Sequence, residues 1–421
     1  MSSRTAAALT LALLGLALAG TLAVAVPWRR LAIPPGGRTP VSVARDFTAA
    51  QIASQRAFHR ELRPASYASL ALGLLTSLLL GGTPLGARVV AGVARPLGGG
   101  WGWRVVLGVV VLSAIGALVR LPPGLRAERI LRRYGLSTQT WAGWARDRAK
   151  GLALGTGLST AVLLGGYALI RAAPTTWWAW AGAGGAALVA TASFLVPVLI
   201  EPAFNSFAPL PAGELRTSLL ELARQDQVPV RDILVADASR RTTALNAYVS
   251  GIGSTRRLVV FDTLVQTAPA AEVRLVVAHE LGHAKRHDVA IGTLLGGLGV
   301  AAAAALAYLA LSWPAMLRRA GVSALGDGTS VPLLLALAAV GGLLSRPGQS
   351  LLSRRIEARA DVHSLDLTGD AAAFIASERR LAATNLSDLE PHPLVYAVFF
   401  THPSGPQRIA MARDWARLHP A

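Results

Sequence analysis

Seven apolar runs, at about 5–26, 65–82, 102–119, 151–170, 177–200, 289–313 and 331–346, constrain this chain more than any other feature of it. A helix needs ~20 apolar residues to cross ~30 Å of hydrocarbon, and its backbone polar groups must then be satisfied within the segment itself. Most of the runs approach that length. The second, third and seventh are short and rich in Gly or Ala. The first run exceeds the ~7–15-residue core of a signal peptide and only Arg4 precedes it, so it reads as a retained helix rather than a leader. Composition agrees with membrane residence: 52% of residues are hydrophobic and 15% charged, against roughly 25% charged in soluble domains.

The net charge is +18. The cations are nearly all arginines and lie in the short stretches between the runs, where they act as topology signals. Residues 27–64 hold Arg29, Arg30, Arg38, Arg45, Arg56, Arg60 and Arg63, and residues 120–150 hold eight more cations. The alternate loops hold few: Arg88 and Arg95, then Arg171, then Arg318 and Arg319. The positive-inside rule therefore expects the N-terminus outside and the C-terminus inside, with the polar segment 201–288 and the tail 347–421 both cytoplasmic. No stretch interleaves basic and aromatic residues, so no nucleic-acid partner is expected. The chain has no cysteine, which excludes disulfides, thiolate metal sites and cysteine nucleophiles.

Segment 201–288 reads as mixed α/β. Glu214 to Arg224 is an amphipathic helix and Ile233–Ala236 a short strand. Asn246–Ser250 and Leu258–Phe261 form a strand pair joined by a Gly251–Arg257 turn. Residues 271–287 follow as a helix, with Val273, Val276, Val277 and Leu281 at helical spacing.

That last helix carries His279-Glu280-Leu281-Gly282-His283. Positions four apart share a helix face, so both imidazoles can aim at one metal ion. Glu280 then sits beside the ion, placed to take a proton from bound water and pass it to a leaving amine. Zinc is the expected metal, one per chain, because it accepts nitrogen and oxygen donors and keeps a position open for water. A third ligand is needed. His287 lies ~12 Å along the axis from His279 on a straight helix, too far to share one ion with it. Glu357, in Glu357-Ala-Arg-Ala-Asp361, stands on a helix directly after the last run. There it either binds the ion, with Asp361 bonding the far nitrogen of a ligand histidine, or belongs with Asp361 to a solvated face paired by Arg354, Arg355 and Arg359.

In these motifs the chain resembles the type I CAAX prenyl endopeptidases, integral-membrane zinc proteases of gluzincin type with seven transmembrane helices. The matching pieces run in order. They are Phe204-Asn205-Ser206-Phe207, Asn246-Ala247-Tyr248, Val260-Phe261-Asp262-Thr263-Leu264, the His279–His283 motif, Ser353-Arg354-Arg355 with Glu357 and Asp361, and Thr401-His402-Pro403 with Arg408-Ile409. They span residues 202–410; before that, only hydropathy and the Arg146–Gly151 stretch match.

The resemblance implies that Glu357 is the third ligand. It further implies that Asn246 and Ala247 lie on an edge strand that pairs with an extended peptide, and that His402 and Arg408 stabilise the oxyanion. Pro403 would then open a helix, with His402 at its start. The segment Ser404-Gly405-Pro406-Gln407 is looser than the family's usual one.

The expected protein is mainly α and membrane-integral. Seven helices in a barrel-like arrangement would carry a cytoplasmic-side α/β zincin-like catalytic domain with a short strand pair. Residues 1–200 would hold five of those helices. Residues 201–421 would form the zinc peptidase domain, interrupted by the sixth and seventh helices at about 289–346. Its expected chemistry is peptide hydrolysis, and its partners are peptide or membrane-protein substrates and the lipid bilayer. The sequence leaves the oligomeric state open. The Ala-, Arg- and Gly-rich usage is of a bacterial kind, where protein prenylation is not expected. A heat-shock-type quality-control protease and a non-catalytic zinc-stabilised scaffold are the alternatives. A transporter is disfavoured because no run holds an acidic residue in its middle.

Overall fold

The structure, a computed structural model, describes residues 1–28, 31–251 and 256–420, with Val198 by its backbone alone. Among these residues, seven helices are long and apolar enough to cross a membrane. They are α1 (Ser3–Ala25), α2 (Ala49–Gly82), α3 (Trp101–Arg133), α4 (Trp141–Ala172), α5 (Trp177–Leu195), α8 (Asp288–Leu311) and α9 (Val331–Thr368). The amphipathic helix α6 (Glu214–Gln225), the motif helix α7 (Ala270–Lys285), α10 (Ala371–Thr384) and α11 (Gly405–Leu418) complete the principal set. Each expected span corresponds to one helix, including the three short ones. Arg29 and Arg30 of the first cationic loop lie outside the described residues.

The short apolar runs are explained by helices that continue past them. α2, α3, α4 and α9 have 34, 33, 32 and 38 residues. At 1.5 Å per residue, α9 is ~57 Å long, almost twice the thickness of the hydrocarbon. In α2 and α4 the polar excess precedes the apolar run, and in α3 and α9 it follows. With alternating directions, all four polar ends emerge on one side. Glu357 lies 26 residues into α9, ~39 Å along its axis and so beyond the hydrocarbon. Gly369, at φ +66°, takes the left-handed conformation that ends this helix.

The polar segment contains a four-stranded sheet rather than an isolated pair. β1 (Phe207–Pro209), β2 (Asp232–Ala236), β3 (Ala247–Ser250) and β4 (Arg257–Phe261) lie in the order β1-β2-β4-β3. β3 and β4 pair antiparallel, with Ala247 opposite Val260 and Ser250 opposite Arg257. β2 joins β4 in parallel and β1 joins β2 antiparallel. Three residues ending in proline give β1 no alternation to read, so it escapes sequence inspection. The expected Gly251–Arg257 turn falls mostly on residues 252–255, outside the described residues.

Under the sheet, Leu219 and Leu222 of α6, Ile233 and Leu258 of the strands, and Val273, Val277 and Leu281 of α7 are all buried. The α7 residues are spaced by four and form the stripe by which the helix rests on this core. Its opposite face, carrying His279 and His283, is thereby turned towards α9.

A candidate metal centre between two helices

α7 crosses α9 at the motif, and the crossing brings His279, His283 and Glu357 together. One donor atom from each lies within 4.8 Å of the others. The Nε2 atoms of His279 and His283 are 3.1 Å apart, and Glu357 Oε2 stands 3.1 Å from the first and 3.6 Å from the second. Thus the acid on the continuation of the seventh span meets both histidines, and the solvated-face alternative does not describe its position.

The opposite ring nitrogens decide what the converging atoms are. His279 Nδ1 donates to Asp361 Oδ1 at 2.8 Å, and His283 Nδ1 donates to Asp288 Oδ2 at 2.8 Å. In the neutral tautomer each ring's proton is directed at that carboxylate, and both Nε2 atoms then present lone pairs. Two lone pairs and a carboxylate oxygen at these separations repel unless a cation lies among them. The donor set therefore fits a divalent metal. Protonation shows the same demand for positive charge. Burial pushes the His279 imidazole down, but Asp361 and Glu357 hold it up to about 10. His283 is likewise held up to about 9 by Asp288 and Glu357 against its burial.

The supporting shell is wider than the sequence suggested. Arg359 pairs with the other oxygen of Asp288. Arg408 Nε donates to Asp361 Oδ2 at 2.8 Å, its Nη2 pairs with Asp361 Oδ1, and its Nη1 lies 2.8 Å from Glu378 Oε1. Asp361 and Glu378 are both buried, and burial pushes the Glu378 carboxyl up to about 7 despite Arg408. Asp288 and Glu378 were not singled out from sequence, and Arg359 was considered only as a partner of Glu357 and Asp361. For Asp288 a signal existed, namely an acid five residues after His283 at the start of the next helix.

Glu280 faces a cavity of about 460 Å³ that is also lined by Asn246, His279, Glu378, His402 and Arg408. Burial raises the Glu280 carboxyl above its ordinary value, with the two histidines opposing. Asn246 is exposed at this wall, immediately before β3, whose outer edge is open in the sheet order. Leu245 before it is held by Asn385, whose Oδ1 accepts from the Leu245 N–H at 3.0 Å and whose Nδ2 donates to its carbonyl at 3.3 Å. Ala247 is buried in the core beneath the sheet, so only its backbone is available to a ligand.

Two expectations change in detail. The C-terminal helix begins at Gly405, not at Pro403. Ser404 is its N-cap, in a capping box with Gln407, and Pro406 occupies its first turn. His402 accordingly sits in the loop before the cap, its side chain 56% exposed and its Nε2 3.1 Å from Glu357 Oε2. His287 lies past the end of α7 as the N-cap of α8, in a left-handed conformation with φ +55°, and is outside the His279, His283 and Glu357 group.

Known proteins match this architecture. The profile of Peptidase family M48 fits residues 209–416, and that of the CAAX prenyl protease N-terminal region, described as five membrane helices, fits residues 38–206. The N-terminal half thus carries a family pattern of which sequence inspection read only the hydropathy and the Arg146–Gly151 stretch. YhfN of Bacillus subtilis, an uncharacterized metalloprotease, is 34% identical over 307 residues, 72% of each chain. CAAX prenyl protease 1 of Saccharomyces cerevisiae is 31% identical over 222 residues, 52% of this chain and 46% of that one. The crystal structure of S. mikatae Ste24p shares the fold, with a TM-score of 0.76 at 22% identity over 98% of this chain and 99% of that one. The chain belongs to peptidase family M48, as a multi-pass membrane metalloprotease of the CAAX prenyl protease type.

Proposed function

We propose that the protein hydrolyses peptide bonds with one zinc ion held by His279, His283 and Glu357, and with Glu280 as the general base. The observation that carries this reading is the convergence of three donor side chains beside the half-buried Glu280 carboxyl at the wall of a cavity. Tetrahedral zinc with ~2.0–2.1 Å bonds separates its ligands by roughly 3.3 Å, close to the spacings here. When bound, zinc would supply Lewis acidity and lower the pKa of a water molecule.

The protein's own groups do the rest. Glu280, with its raised carboxyl, accepts a proton and delivers it to the leaving amine. The open edge of β3 pairs with an extended peptide through the Ala247 backbone, while the Asn246 side chain reaches the cavity and bonds the peptide there. His402, exposed at the same wall, donates to the oxygen on which negative charge develops. Arg408 is committed to Asp361 and Glu378, so its contribution runs through Asp361 to the orientation of His279.

The topology follows the arginine distribution. The N-terminus lies outside, and the common side of the four long polar helix ends, with the catalytic part, is cytoplasmic. Residues 1–200 form the membrane region, and residues 201–421 form the peptidase part around the α8–α9 hairpin. The test is Glu280→Gln in purified, metal-loaded protein. Cleavage of a quenched-fluorescence peptide falls by roughly 10²-fold or more while metal content stays the same. A variant that cleaves as fast as the parent refutes the mechanism.

A further inference from the structure

We infer that a second cavity, walled by α2, α3 and α9, is a subsite for a carboxylate of the peptide substrate, with Arg120 and Arg346 as its cations. The inference rests on the proteolytic reading above and specifies the substrate class for it. The cavity measures about 770 Å³ and shares His59, Asp388, Phe399 and Phe400 with the catalytic cavity. The two spaces are therefore adjoining compartments. Its depth is apolar, with Leu74, Leu80, Leu112 and Leu335 in the wall, and Ser66, Ser77 and Ser113 add hydroxyls.

Among the described residues, three arginines and one acid, Asp388, line this space. Arg63 pairs with Asp388. Arg120 donates through Nε to the Gly116 carbonyl at 2.9 Å, and Arg346 lies 5.4 Å from the centre of the Phe399 ring. Among the described residues, no carboxylate forms an ion pair with either of these two guanidinium groups. Each stands at the end of an apolar run, Arg120 after 102–119 and Arg346 closing 331–346, and so at the same level of the bundle. Arginines there are commonly topology anchors that reach outwards to headgroups. Arg120 and Arg346 are both exposed, and both also line this cavity, which adjoins the catalytic one; α2 makes room for one of them, because a Cβ on Gly73 would lie 3.3 Å from Arg120 Cδ.

Cations beside an apolar wall call for a counter-charge, and the guanidinium fork matches a carboxylate. Adjacency selects the substrate as its source. Phe399, beside Arg346 at the end of the short helix Pro393–Phe399, lines both cavities, so a peptide extending from one into the other passes this ring.

The experiment uses full-length, zinc-loaded protein in neutral phosphatidylcholine nanodiscs. A cleavable peptide carries Glu, or its uncharged isostere Gln, at successive positions on both sides of the scissile bond. At one position or more, kcat/KM for Glu exceeds that for Gln by about tenfold. This ratio falls to about twofold or less in R120Q/R346Q and is largely kept in R120K/R346K, where the charge remains. Taking the ratio within each variant cancels any general loss of turnover. A parent ratio near one at every position, or an undiminished ratio in the Gln double variant, overturns the inference. So does a rate that responds to phosphatidylglycerol through these arginines while the Glu/Gln ratio stays at one, which would make lipid the occupant. If the parent cleaves no peptide, the proteolytic reading fails by itself. Binding of the same Glu and Gln peptides to the Glu280→Gln variant, read by fluorescence anisotropy, then decides the subsite by the same ratio.

Discussion

His363 of α9 packs directly on Gly282 of α7: a Cβ on that glycine would stand 3.0 Å from His363 Cδ2 and 3.1 Å from its Cβ. The glycine of the metal-binding motif is thus a helix-crossing residue, and its lack of a side chain sets how closely Glu357 approaches the two histidines. Asp226, at the C-cap of α6, braces the same crossing. Its buried carboxylate takes Lys285 Nζ at 2.6 Å and His363 Nε2 at 2.9 Å, tying α7 to α9.

Gly282→Ala is expected to force the two helices apart by a few tenths of an ångström. Overpacking of this kind costs about 1–3 kcal/mol. Chelator competition should show metal affinity reduced by roughly tenfold, because a ligand set assembled from two helices loses its spacing. An unchanged affinity would mean that the crossing tolerates a methyl group.

Asp288→Asn removes the acceptor that fixes the His283 ring and leaves Arg359 without its carboxylate. Loss of such a supporting group typically weakens metal binding by 10–100-fold. Asp361→Asn should cost more, since Arg408 also loses its principal partner inside the protein. Metal retained after dialysis against a graded series of chelators ranks the two variants.

His402 and Arg408 should separate cleanly. His402→Ala lowers kcat by roughly 10²–10³-fold with most of the metal retained, because its exposed side chain meets the developing charge and, of the three candidate ligands, touches Glu357 alone. Arg408→Gln lowers metal retention as well, because it acts through Asp361 and His279. Parallel assays of turnover and metal content distinguish these outcomes, and an Arg408→Gln variant with full metal and reduced kcat would restore a direct role at the oxyanion.

Much of this centre was legible in the chain because its chemistry is local. His279, Glu280 and His283 lie within one turn and a half, and helical periodicity alone puts the two ligands on one face. The seven spans were legible for the same reason, as continuous apolar runs. What escaped depends on distant contacts. Asp226 meets His363 across 137 residues, and Glu378 meets Arg408 only because α10 and α11 pack together. For Arg408, sequence shows a cation near the site but not its pairing with Asp361 and Glu378. β1 is too short to announce itself, and it forms because β2 offers it an edge.

Away from the site, Asp46 anchors the segment before α2 to the C-terminal helices. Its buried carboxylate pairs with Arg379 at 2.7 Å and with Arg413. Burial would raise this carboxyl, but the two arginines prevail and hold it below its ordinary value. A depressed acid contributes stability above its unfolded pKa, and that stability is lost as pH falls through the folded one. Asp46→Asn should therefore cost about 3 kcal/mol near neutrality, the low end for a broken buried pair, because Arg379 is partly exposed. Its Tm should also fall less steeply than the parent's between about pH 4 and pH 2. Parallel acid limbs in the two proteins would exclude this contribution.

The central claim is that three side chains from two helices hold one ion, and metal stoichiometry tests it most directly. Elemental analysis of protein purified without added metal, alongside Glu357→Ala prepared in the same way, should find one zinc per chain in the parent and a small fraction of that in the variant. A parent without metal, or a Glu357→Ala variant with full occupancy, would contradict the account.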